Sequence, residues 1–145
     1  MRKLWVSFLR LLQSVTSLLA MLYLCGIFQP VSVASQSFLE TFYAIIAAVV
    51  LSCAAVIYSS VMCVLEIRSV ILSTTSQVTG DIALAIMLFV VAEVLILSDD
   101  LLHCRDRINV SCGHLRTSIA FMIIATSLYV ISAGLALLWD WEPRW

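Results

Sequence analysis

Four long apolar runs dominate this 145-residue chain: Trp5–Phe28, Phe42–Leu65, Ile82–Leu97 and Ile119–Trp139. Each approaches the roughly 20 apolar residues that a helix needs to cross about 30 Å of hydrocarbon. In such a medium the backbone must satisfy its own hydrogen bonds, so the runs predict helices rather than open strands. The expected fold class is an all-α membrane protein, a four-transmembrane-helix bundle forming one domain over the whole chain. The outer connectors are expected at 29–41 and 98–118. Too little sequence remains outside the runs to build a separate catalytic domain.

Composition agrees. The chain is 63% hydrophobic, with a mean hydropathy of +1.09. Eight basic and nine acidic residues leave a net charge of −1, which argues against a nucleic-acid partner. Met1-Arg2-Lys3 ahead of an apolar run resembles a signal peptide, but the run to Phe28 exceeds the usual apolar core of about 7–15 residues. The expectation is therefore a retained first helix.

Arg2 and Lys3 favour a cytosolic N-terminus, and four crossings return the C-terminus to the same side. The connector at 98–118 would then face the lumen or exterior. It carries two cysteines around a short polar turn, and a Cys104–Cys112 disulfide is expected in an oxidising compartment. Asn109-Val110-Ser111 is a glycosylation sequon on the same connector, making Asn109 a candidate acceptor. The alternative is a pair of free thiols on a cytosolic loop of an inverted protein.

Along the second run, Ala44, Ala48 and Ser52 recur every four residues and share one helical face, where small side chains let helices approach closely. Ser73–Gly80 reads as a turn between spans two and three, with Asp81 as the N-cap of span three. Trp139, Trp141 and Trp145 suit an interfacial anchor. Cys63, at the cytosolic end of span two, is a candidate for S-palmitoylation. Cys25 and Cys53 read as small packing residues.

Glu93 is the one acidic residue well inside a run. An ionisable group there usually faces the bundle or a watery cavity, so it is read as a hydrogen-bonded or protonated packing residue, with a proton or cation site as the sharper alternative. Arg10 is placed about one turn deep on the cytosolic side, where its head can snorkel out. No catalytic residue, cofactor or metal ligand is assigned. Haem is not expected because His103 and His114 both fall in the outer connector. A zinc site from His103, Cys104, Cys112 and His114 is chemically possible, but the spacing fits no standard pattern.

Four spans, short tails, a compact first connector and a larger cysteine-bearing second one resemble the MARVEL-type tetraspan family, which includes the MAL and plasmolipin proteolipids and the synaptophysin group. The run from Ile124 to Ala133, followed by leucines and a tryptophan, is similar to the fourth span of MAL-like proteins, as is a glutamate near the outer end of span three, here Glu93. The resemblance implies a non-enzymatic membrane organiser in vesicle trafficking, membrane-domain assembly or cell junctions. Its partners would be membrane lipids, other membrane proteins or further copies of itself, at the plasma membrane or on secretory or endosomal vesicles. The alternative is an accessory subunit of a channel, receptor or transporter. A small transporter using Glu93 is a third possibility.

Overall fold

A computed structural model of the chain describes residues 2–26, 36–68, 73–97 and 112–141. They form four helices: α1 (Arg2–Cys25), α2 (Gln36–Ile67), α3 (Thr74–Ile96) and α4 (Cys112–Trp141). All four are long and apolar enough to cross a membrane.

Each helix buries a seam of residues spaced alternately three and four apart. On α1 the seam is Arg10, Gln13, Ser17, Ala20 and Leu24; on α2 it is Ile45, Ala48, Ser52, Ala55, Ser59 and Met62. On α3 it is Val78, Asp81, Ala85, Leu88, Ala92 and Leu95; on α4, Leu115, Ser118, Met122, Ala125, Tyr129 and Ser132. A seven-residue period is slightly short of two full helical turns, so helices that keep such a seam buried wind gently around one another in a left-handed sense. Helix α1 packs against α2 and α4, and α3 packs against α4 and, less extensively, α2. The neighbours around the ring are antiparallel: the start of α1 lies beside the end of α4, and the end of α1 beside the start of α4.

The polarity of this bundle is inverted. Arg10, Gln13, Ser52, Ser59 and Asp81 are buried, while Trp5, Phe8, Val50, Ile57, Ile86, Phe89, Val130 and Leu138 point outward. A water-soluble bundle would bury the second set. Here the outward faces suit an apolar solvent, and the inward seam is where small and polar side chains meet.

Several boundaries differ from the sequence-based expectation. Ser73–Gly80 is not a turn. Ser73 itself is the N-cap, with extended backbone (φ −63°, ψ 134°) and a hydroxyl that accepts from the Ser76 N–H at 3.4 Å. The polar residues that follow are helical, and Thr79 returns its hydroxyl to the Thr75 carbonyl at 2.7 Å. Asp81 therefore lies two turns inside α3 instead of capping it. Helix α2 begins at Gln36, shortening the first connector, and α4 begins at Cys112, so that His114, Arg116 and Ser118 are helical. Cys25 and Cys53 are exposed rather than packed, because both fall off the buried seams of their helices.

Candidate functional site

Going from Leu4 to Arg10 carries the chain about 9 Å along the α1 axis, at about 1.5 Å per residue. That depth is not used for snorkelling. Arg10 turns into the bundle and is 1% exposed, and Asp81 of α3 is 0% exposed beside it. The two form a forked pair across the diagonal of the ring. Arg10 Nη1 donates to Asp81 Oδ1 at 2.6 Å and Nη2 donates to Oδ2 at 3.0 Å. A planar guanidinium matches a carboxylate in this two-bond geometry, which fixes direction as well as distance.

Other polar side chains complete the arrangement. Arg10 Nη1 also donates to Gln13 Oε1 at 3.1 Å, and Gln13 Nε2 donates to the Leu128 carbonyl of α4 at 3.1 Å. Ser132 donates its hydroxyl to Asp81 Oδ2 at 2.8 Å. The Arg10 guanidinium carbon lies 5.8 Å from the centre of the Tyr58 ring on α2, within range of a cation–π contact. One buried cation and its carboxylate are thus held by groups from all four helices.

A second link spans the other diagonal. Tyr129 of α4 donates its hydroxyl to the Ala55 carbonyl of α2 at 3.1 Å. Its single proton being used there, Ser59 is the donor in the 2.6 Å contact between the two hydroxyls. Helices α1 and α3 are joined by charge, and α2 and α4 by a tyrosine.

Gly80 makes room for this site. A Cβ at that position would lie 2.5 Å from the Tyr58 hydroxyl oxygen, 2.9 Å from Cζ and 3.0 Å from Cε2. The same hydroxyl donates to the Gln77 carbonyl at 3.3 Å. In Gly80→Ala the ring must swing away from both Gln77 and Arg10. Overpacking of this kind costs about 1–3 kcal/mol, against about 1 kcal/mol gained from alanine's better helix propensity. The expected result is a lower melting temperature in detergent, and an unchanged or higher one would refute the contact.

The residues singled out from sequence are scattered relative to this cluster. Ala48 and Ser52 are fully buried on the α2 seam, and Ala44 is half-buried against the same core. Glu93 is not a bundle packing residue: it is exposed, on the outward side of α3. Cys63 is a half-buried free thiol on α2. Cys104 and Asn109 lie outside the described residues, as does His103 of the conceivable zinc set. Among the described residues, no group of three histidine, cysteine or acidic side chains could hold a metal ion.

At the opposite end of the bundle, His114 Nδ1 lies 3.2 Å from the Gly26 carbonyl, and Tyr23 stacks on Phe121 with ring centres 5.7 Å apart. These contacts tie the end of α1 to the start of α4. No protein-family profile, curated protein or solved structure matches the chain.

Proposed function

We propose that the chain is a multi-pass membrane protein with both termini in the cytosol, and that it organises membrane rather than catalysing a reaction. On this reading it works by packing its outward faces against lipids, other membrane proteins or further copies of itself, at the plasma membrane or on secretory or endosomal vesicles. The single observation that carries the reading is the direction in which polarity is spent. The buried Arg10, Asp81, Gln13 and Tyr129 bond to other helices of the same bundle, leaving long apolar faces as the surface offered to surroundings. In lipid, association of such faces depends on close packing and hydrogen bonds, since the lipid tails are as apolar as the helices.

The MARVEL-like family assignment, and the roles in trafficking, membrane domains or cell junctions that it implies, belong to this proposal. So do a Cys104–Cys112 disulfide on the non-cytosolic side, glycosylation at Asn109 and palmitoylation at Cys63.

The test is gentle extraction of the full chain from its own cells after brief cross-linking, followed by native mass spectrometry. Discrete self-oligomers retaining lipid are the expected outcome. A single partner in fixed ratio would favour the accessory-subunit reading. A monomer with no stable neighbour would sink both.

A further inference from the structure

The hydrogen bond between Ser132 and Asp81 sets the register of α3 against α4. Counting twelve residues from Asp81 toward the end of α3 reaches Glu93; twelve residues back from Ser132 reaches Ala120 of α4. Glu93 is therefore level with Ala120, and about 6 Å deeper than Arg116 at about 1.5 Å per residue. Its carboxylate faces outward among exposed Phe89, Val90, Val94 and Leu97.

We propose that Glu93 is a docking point for a transmembrane helix of a different protein that carries a lysine or arginine at the same depth. This rests on the reading that the chain acts by lateral association, and names the chemistry of the partner. A carboxylate at such a position is costly in hydrocarbon unless it is neutralised. The chain neutralises its other deep carboxylate with a guanidinium, at Asp81. Among the described residues no cation pairs with Glu93, and the one ion pair there is Arg10–Asp81.

Arg116 does not fill the role, within one chain or between copies. It sits one turn nearer the connector end, and helical side chains lean toward their own N-terminus, which for α4 is further away from Glu93. A second copy related by an axis along the membrane normal keeps every residue at its own depth and presents Arg116 with the same offset. Among the described residues, neither the chain nor such a copy sets a cation level with Glu93; a helix of another protein would supply it. The surrounding Phe89, Val90 and Val94 give that helix an apolar bed around a single charge, so the pair sets register and partner choice.

The experiment uses the full chain reconstituted in phosphatidylcholine vesicles with dye-labelled peptides. One is an all-leucine transmembrane peptide; the other carries a single arginine about one and a half turns from its end. Binding is read by energy transfer from a donor on the chain. The arginine peptide is expected to bind about tenfold more tightly than the leucine peptide. Glu93→Gln should abolish that preference, and Glu93→Asp should keep part of it. Equal binding of the two peptides to the natural chain overturns the proposal, as does a preference that survives Glu93→Gln. Self-association of the chain is measured without peptide. Its loss would remove the organiser reading while the arginine preference still reports on docking.

Discussion

Asp81→Leu is expected to destabilise the folded bundle by about 3–5 kcal/mol, the range found when one partner of a buried ion pair is removed. The substitution leaves Arg10 in the bundle without its forked partner, next to Gln13, the face of Tyr58 and the charge of Glu66. A guanidinium cannot shed its proton, so the charge stays. Arg10→Leu should also be destabilising, because it leaves Asp81 buried without its guanidinium, still bonded to the Ser132 hydroxyl. Combining the two should recover most of the loss, since leucines facing each other across the diagonal strand no charge. A residual deficit of about 1 kcal/mol is expected from the unpartnered Gln13 and Ser132 groups. Reversible denaturant titration of the four proteins in bicelles measures this cycle. If the double variant is as unstable as the sum of the singles, the two residues are not a coupled pair.

The second large effect is expected at Tyr129. Tyr129→Phe keeps the ring in place and removes the hydroxyl, which leaves the Ser59 hydroxyl without its acceptor; the expected loss is about 1–3 kcal/mol. Tyr129→Ala removes the ring as well. Tyr129 is fully buried and faces Tyr58 at 6.5 Å between ring centres, so the deletion opens a cavity where α2 and α4 meet, and the loss should reach about 3–5 kcal/mol. The gap between the two variants separates the polar link from the packing. If phenylalanine costs as much as alanine, the hydroxyl governs the site; if phenylalanine is neutral, the diagonal bond is incidental to stability.

The four helices are legible in the sequence because length and unbroken apolarity leave few alternatives. The centre of the polar cluster is not. Ser73–Gly80 has the composition of a turn, rich in serine and threonine and ending in glycine, and reading it so makes Asp81 a cap. In the helix those hydroxyls bond to the preceding turn, as Thr79 does to Thr75, and the turn-like residues cost the helix little. Arg10 was open to misreading for a different reason. A basic residue near the start of a span can snorkel or turn inward, and nothing local decides between them. The seven-residue seam does decide: Arg10, Gln13, Ser17, Ala20 and Leu24 fall on one line, as do Val78, Asp81, Ala85, Leu88, Ala92 and Leu95. Reading the polar residues as members of those lines would have put opposite charges on two inward faces. Glu93 falls off the α3 line, which is why depth alone misplaced it.

The bond between Arg10 and Asp81 also has an order in time. A chain synthesised from its N-terminus makes α1 before the other three helices, and α1 is the least apolar of the four. The carboxylate that its guanidinium grips, Asp81, does not exist until α3 has been made, seventy-one residues later. Until then the helix that enters first is the one least suited to lie alone in lipid, and it settles last. Any truncation that stops short of α3 therefore leaves behind a first span that the membrane, or the machinery that inserts it, has reason to reject.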